Sequence, residues 1–227
     1  MRGLLITGTD TGAGKSILTA SLLAAMAAAG EPVVAHKPAV TGLDEPFGDG
    51  WPPDHELLGM AADMPAQDVA SMLFGPAVSP HLAARLAGVA LDGERLVAEA
   101  RAKAAGGTLV VEGVGGLLVP LADDFSVRDL AVALGLPLVI AARPGLGTIN
   151  HSLLTIEAAR TARLEIRAVV LTPWPGRPSE MERSNRESIA RLGEVPVHTL
   201  AHIHGRDRGA LARAGEELPW RGWLAAG

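Results

Sequence analysis

Nine residues near the amino terminus, GTDTGAGKS at positions 8–16, combine the residue types that hold phosphate. Gly12 and Gly14 let backbone N–H groups converge on anionic oxygens, Lys15 supplies charge for the outer phosphates, and Ser16 can ligate Mg²⁺. The general phosphate loop reads glycine, four residues, then Gly-Lys-Ser/Thr. Counted back from Gly14, its first position falls on Thr9, and the glycine stands one place earlier, at Gly8. An apolar run before the loop and a helical pattern after it still suit a nucleoside triphosphate site. The alternative is a glycine-rich strand–helix turn with Lys15 as an ordinary first-turn residue.

Four further stretches carry residues with chemistry open to them. HKPAVTG puts Lys37 at the end of a short apolar run with Thr41 just beyond. Lys37 is either a solvated strand terminus or, beside a triphosphate, a cation for an acyl-phosphate or carbamate. VVEGVGGLLVP places Glu112 where an acidic residue can help hold Mg²⁺, and Gly113, Gly115 and Gly116 let a ligand approach the backbone. Glu112 is equally a carboxylate paired with Lys15 or Lys37. Asp54, opening DHELLGMAA, is a helix N-cap or a ligand. ARPGLGTINHSLLT enters a helix through glycines whose amides could bind a carboxylate, or is a plain turn capped by Thr148.

The elements that position these residues follow from the apolar pattern. Runs at 3–7, 32–36, 108–111, 137–141, 167–171 and 195–199 read as strands. Helical patterns fall at 16–29, 56–64, 79–88, 93–105, 126–135, 148–163 and 179–192. The strands are continuously apolar rather than alternating, as when helices cover both faces of a sheet. The alternation predicts an α/β fold, a doubly wound, mostly parallel sheet in one domain spanning 1–227, with ligands beyond the strands' carboxyl ends. The Gly-, Pro- and Asp-rich stretch 41–53 follows one such end, which favours function.

Composition narrows the class. The 227 residues are 48% apolar, enough for a substantial core. Three Phe, four Trp and no Tyr give little for base stacking, and a net charge of −5 opposes general nucleic-acid binding. No cysteine is present, which excludes disulfides, thiolate catalysis and cysteine-bound metal. The leading apolar run meets Asp10 and Lys15 too soon for a signal peptide, and no stretch reads as a membrane span. A soluble cytoplasmic enzyme is expected.

GTDTGAGKS, KPAVTG, EGVGG and PGLGTINHSLLT, in this order and spacing, resemble the dethiobiotin synthetase family, as does SPH at 79–81. The early Gly8 is this family's own loop pattern. The resemblance implies a homodimeric ligase that uses Mg²⁺ and ATP to convert 7,8-diaminononanoate and CO₂ into dethiobiotin in biotin biosynthesis. It implies that Gly12, Ala13, Gly14, Lys15 and Ser16 bind phosphates, with Ile17, Glu112, Gly113, Val114 and Gly115 also at the nucleotide. Ser16, Asp54 and Glu112 would surround Mg²⁺, and Lys15 and Lys37 would be catalytic. Thr11, Lys37 and Thr41 would line the diamine and carbamate site, and Gly147, Thr148, Ile149 and Asn150 would receive the distal carboxylate across the dimer.

Two positions depart from the family pattern. Many members are acidic where this chain has Gly12. At a strand end where the family often has Asn-Asp, with the Asn reading adenine, Thr172 and Pro173 stand here. Threonine lacks the paired donor and acceptor of an amide, and proline lacks an N–H, so GTP or CTP should support turnover comparably. The resemblance places part of the nucleotide pocket after the last strand, so Pro196, Val197 and His198 are expected at the base. Rival readings are a cobyrinate-type ligase, which usually carries a glutaminase cysteine, and a nucleotide-switch ATPase of the partition or division-site kind. The latter often bears an extra lysine where Thr9, Asp10 and Thr11 stand. His202 and His204 read as surface loop residues or a metal pair. His81 is a substrate-facing residue or part of a helix start capped by Ser79, and Trp220 and Trp223 anchor a terminal segment.

Overall fold

The computed structural model describes residues 1–45 and 50–225. Along the chain come β1 (Gly3–Gly8), α1 (Lys15–Ala28) and β2 (Val33–His36). Four helices follow: α2 (Asp54–Ala62), α3 (Ala66–Val69), α4 (Pro80–Leu86) and α5 (Gly93–Ala104). After β3 (Thr108–Gly116), a short antiparallel pair, β4 (Pro120–Ala122) and β5 (Phe125–Ser126), leads into α6 (Val127–Leu134). The remainder is β6 (Leu138–Ala142), α7 (Thr148–Thr161), β7 (Ile166–Trp174), α8 (Glu180–Gly193), β8 (Val197–Ala201), α9 (Arg208–Glu216) and α10 (Trp220–Leu224).

Six strands form one parallel sheet in the order β2-β3-β1-β6-β7-β8. The expected doubly wound α/β fold is therefore present. Successive strand residues serve opposite layers. Leu4 and Ile6 join Val110 and Val139 against α1, α2, α9 and α10, while Leu5, Leu109, Val111 and Leu138 pack on α5 and α6. Farther along, Ile140, Val169 and Leu171 meet Ile156 of α7 and Ile189 of α8. Both faces are buried, so the strands have no polar side to show. β2 and β3 lie on one side of β1 and β6, β7 and β8 on the other, so the chain changes sides at β1, and the carboxyl end of this strand is the switch point where such sheets bind ligands.

The differences from expectation are local. β3 runs on to Gly116 and β7 to Trp174, because both continue past the apolar run into the binding edge. β8 begins two residues later than its apolar pattern suggests. α3, α9, α10 and the β4–β5 pair are additional. Trp220 and Trp223 are buried, anchoring the C-terminal segment as expected, and Trp223 meets the His198 ring edge-on at 5.5 Å. Asp54 is the first residue of α2 after Pro53 rather than its N-cap, and Thr148 opens α7 after Gly147, which occupies the cap position.

His36, the last residue of β2, is fully buried. Burial, then the nearby Lys103 ammonium, push its pKa down to about 4, against Glu99 and the Val69 carbonyl, which raise it. The folded chain therefore holds this imidazole neutral, and the unfolded chain binds a proton first as pH falls through the ordinary value of 6.5. Stability present above that pH is expected to decline between about pH 6.5 and 4, by about 3 kcal/mol from this group. Urea unfolding across that window checks it: His36→Gln should flatten the acid slope, and an unchanged slope assigns it to other groups.

Candidate functional site

The carboxyl ends of β1, β2 and β3 open into a cleft of about 580 Å³. Thr11, Gly12, Gly14, Lys15, Ser16 and Ile17 line it from the loop after β1 and the first turn of α1. Lys37 and Thr41 enter from beyond β2, Asp54 from the start of α2, and Val114 and Gly115 from β3. Residues that are 96 positions apart in the chain meet here: the Ser16 hydroxyl donates to Glu112 Oε1 at 3.0 Å.

Lys37 is the centre of the charge arrangement. Its Nζ lies 2.7 Å from Asp54 Oδ2 and donates as well to Glu112 Oε1. Lys37 and Glu112 are almost fully buried, whereas Asp54 keeps 40% of its side chain exposed. Burial alone would lower the Lys37 pKa, but the two carboxylates hold it above the usual lysine range. Lys15 moves the other way, lowered by burial and by the Lys37 ammonium. Burial opposes the Asp54 carboxylate, yet Lys37 and Ser16 bring its pKa below the usual range. Lys37 is thus a permanent cation here, fit to hold anions and unfit to remove protons. This pairing sets aside Lys37 as a solvated terminus, and for Glu112 it is the pairing with Lys37 that the sequence left open beside a metal role.

The phosphate loop explains its own glycines. Gly14 caps α1 in the left-handed conformation at φ 84°, and a side chain there would stand 2.5 Å from the Thr172 methyl. A Cβ at Gly8 would come within 2.9 Å of the Asp10 carbonyl oxygen and 3.0 Å of Lys15 Nζ, which explains why the early position is glycine. Lys15 Nζ donates to that same carbonyl at 3.2 Å, so the loop curls around its lysine. At Gly12 the space is open, and its φ of 72° is the left-handed conformation that favours glycine. Asp10 accepts from Thr11 N–H at 2.7 Å and pairs with Arg143 at 3.1 Å.

Ser16, Asp54 and Glu112 offer hard oxygen donors in one place. Glu112 Oε2 is buried and has no hydrogen-bond partner, while Oε1 takes both Ser16 and Lys37. An orphaned carboxylate oxygen beside a hydroxyl and a second carboxylate fits Mg²⁺, which accepts few protein ligands and keeps phosphate oxygens and water for the rest. Among the described residues no group of three or more His, Asp or Glu forms a metal cage, His202 and His204 included. Those two stand exposed in the loop after β8, rings 4.9 Å apart.

Several expected residues lie elsewhere. Ala13 is fully buried in the core, so only its backbone can serve a ligand. A Cβ at Gly113 would meet Val127 at 2.7 Å, so that glycine admits α6 rather than a ligand. Thr172 is buried with its methyl against Gly14, and Pro173 is exposed beside it. Following the pairing from Gly8 through Ala141 and Val170 reaches His198, which places Val197 and Pro196 below the binding edge. His198 itself turns to Trp223, and the residues beyond the carboxyl end of β8 are 202–206. Gly147, Thr148, Ile149 and Asn150 open α7 outside this cleft. Trp51 and Pro52, from the 41–53 stretch expected to be functional, and Ser79 and Pro80 of the SPH motif also line it, while Leu57, Ala77, Val78 and Val119 do so without having been expected there. Of the 41–53 stretch, residues 46–49 lie outside the described residues, and Thr41, Trp51 and Pro52 form wall. His81 is half-buried, its Nδ1 without a hydrogen-bond partner. Ser79 holds the cap position of α4 with no side-chain cap bond.

Comparison with known proteins gives three kinds of likeness. A family profile described as an AAA domain matches residues 2–204. An ATP-dependent dethiobiotin synthetase from Anaeromyxobacter sp. (strain Fw109-5) is 43% identical over 207 residues, covering 89% of this chain and 91% of that protein. The enzyme of that name from Anoxybacillus flavithermus is 35% identical, covering 87% and 90%. Among solved structures, the Pyrococcus furiosus cell division ATPase MinD superposes with a TM-score of 0.53 at 15% identity, covering 96% of this chain and 98% of that one. A ParA-family ATPase from Chlorobium tepidum gives 0.53 at 15%, covering 99% and 95%. At such low identity these two establish the fold alone.

Proposed function

Because the chain belongs to the ATP-dependent dethiobiotin synthetase family, we propose that the cleft closes the cyclic urea of dethiobiotin from 7,8-diaminononanoate, CO₂ and ATP. The chain is an ATP-dependent ligase forming C–N bonds. One substrate amine adds CO₂ to give a carbamate. The γ-phosphoryl group passes to a carbamate oxygen, releasing ADP, and the second amine attacks the carbonyl carbon and expels phosphate. The substrate supplies both nucleophiles, so the protein contributes position and charge.

The observation that carries this reading is Lys37, held between Asp54 and Glu112 in the cleft that Lys15 also lines. Carbamate and γ-phosphate are both anionic, and two fixed ammonium groups let them approach; one such preorganised donor is worth about 3–4 kcal/mol. Thr11 and Thr41 offer hydroxyls to the diamine and carbamate. Gly12 to Ser16 present N–H groups and the N-terminus of α1 to the phosphates. Ser16, Asp54 and Glu112 would hold Mg²⁺, which when bound offsets phosphate charge. Trp51, Pro52, Leu57 and Val78 form an apolar wall that excludes water from a hydrolysable anhydride.

The chain acts as a homodimer in this reading. Gly147–Asn150 do not line the home cleft, and near them in the chain are the exposed Leu146 and a groove lined by Leu118, His151 and the exposed Leu154. A second copy would cover those apolar groups and receive the distal carboxylate in trans. A cytoplasmic location fits the expected pathway, and among the described residues no helix is long and apolar enough to cross a membrane.

The test is phosphate release from Mg-ATP and bicarbonate with and without 7,8-diaminononanoate, with product mass and sedimentation alongside. Diamine-dependent release, a cyclic-urea product, loss of turnover with EDTA and a dimer are expected. With Thr172 turned to the phosphate loop, GTP and CTP are expected to serve comparably to ATP. Diamine-independent hydrolysis would favour the nucleotide-switch reading instead, and a strict ATP requirement would remove the relaxed base selectivity.

A further inference from the structure

Lys37 follows directly on the end of a four-residue edge strand, so the sheet gives its backbone little hold. β2 pairs with β3 only up to His36 opposite Val111, one position before Glu112. Beyond that point the Lys37 N–H donates to the Val69 carbonyl at 3.0 Å. Val69 ends α3, a helix of four residues with no side-chain cap. The carbonyl that anchors Lys37 therefore needs an anchor of its own.

Lys103, from α5 on the far side of β2, supplies it. Its Nζ donates to the Asp68 carbonyl at 2.7 Å and lies 3.2 Å from the Val69 carbonyl, from His36 Nδ1 and from Glu99 Oε1. One ammonium thus ties the carboxyl end of α3 and the last residue of β2 to α5. Glu99 is held in turn by the Ser71 hydroxyl at 3.1 Å. His36 Nδ1 also lies 3.3 Å from the Val69 carbonyl, so in the neutral ring it accepts from Lys103 in one tautomer and donates to Val69 in the other, and either contact ties β2 to the end of α3. The charged groups facing His36 are Lys103 and Glu99, both from α5.

We propose that Lys103 is a positioning residue for Lys37, setting the backbone from which the cleft's central ammonium projects. Lys103 touches neither Glu112 nor the phosphate loop, and it acts through the Val69 carbonyl and His36. The proposal rests on the catalytic reading of Lys37, and a small displacement of that ammonium suffices to lower the rate.

Lys103→Met removes the clamp and keeps the length of the side chain. At a temperature where circular dichroism shows it folded, its kcat is expected to fall roughly ten- to a hundredfold, with KM for ATP within about twofold. Lys103→Arg keeps the charge and should retain at least about a third of the parent kcat. The acid limb of the kcat profile should move up in Lys103→Met, because His36 loses its cationic neighbour and keeps Glu99. If Lys103→Met does not fold, Glu99→Gln carries the test with about a threefold loss in kcat at constant KM. A folded Lys103→Met with parental kcat, or a loss shared equally by KM for ATP, would overturn the proposal. Lys37→Met separates the two layers: if it retains turnover, the reading of Lys37 fails, and if it is inactive while Lys103→Met is not, only the positioning role fails.

Discussion

Replacing Lys37 by Met is expected to slow diamine-dependent phosphate release by at least about 10²- to 10³-fold, the loss seen when one preorganised charge donor is removed from a site that gathers negative charge. Nothing nearby replaces it. Lys15 is committed to the phosphate loop through the Asp10 carbonyl, and its own ammonium is disfavoured by burial. The substitution also leaves Glu112, which has no solvent exposure, with Ser16 as its remaining partner in the cluster. Breaking a buried ion pair from one side costs about 3–5 kcal/mol, so Lys37→Met should unfold at markedly lower urea. Catalysis and stability are separable here by a second change. Lys37→Met with Glu112→Gln removes both charges and should regain much of the stability while remaining inactive. Turnover within tenfold of the parent in the single variant would mean that Lys37 does not hold the reacting anions. Equal instability of single and double variants would move the cost away from this pair.

That cluster also marks the limit of what the sequence discloses. Lys37 and Glu112 were legible as strand-end residues, because continuous apolar runs locate strands and ligands collect at their carboxyl ends. Their pairing was one of several open possibilities, since strand order is not a local property: β2 and β3 are neighbours although four helices separate them in the chain. Asp54 illustrates the same point from the other side. Its sequence context suits a cap, but Pro53 takes the cap position and the carboxylate reaches Lys37 instead.

Where the reading failed, a tertiary term outweighed a local one. Leu57, Ala77, Val78 and Val119 become cleft wall only because of how the chain folds around the strand ends, and no periodicity reports that. Pro196–His198 were expected at the base from the family resemblance alone. The register of the sheet instead carries them below the binding edge, at the start of β8, where His198 pairs with Val170. α9 was missed since its glycines and arginines blur the apolar stripe, and the buried residues there are Ala210, Leu211 and Gly215.

The second large effect lies in the phosphate loop, where two glycines with similar backbone angles should respond differently. Gly12 has φ 72° and Gly14 φ 84°, so alanine at either pays roughly 1–2 kcal/mol of left-handed strain. Around Gly12 a Cβ meets nothing within 4 Å, whereas at Gly14 it would overlap Thr172 Cγ2 at 2.5 Å, in a side chain with 2% exposure. Gly12→Ala should therefore bind nucleotide within about tenfold of the parent, the factor that strain of this size allows. Gly14→Ala must displace either β7 or the first turn of α1, which carries Lys15 and Ser16. Misplacement of those groups should raise KM for ATP by about 10²-fold. Thr172→Ser removes the methyl and keeps the hydroxyl, so Gly14→Ala with Thr172→Ser should recover part of that loss, and Thr172→Ser alone should change little. Steady-state kinetics on the four variants decides the cause. Equal behaviour of the two alanine variants would leave backbone strain as the whole effect. A Gly14→Ala defect that Thr172→Ser does not relieve would exclude the methyl contact as its origin.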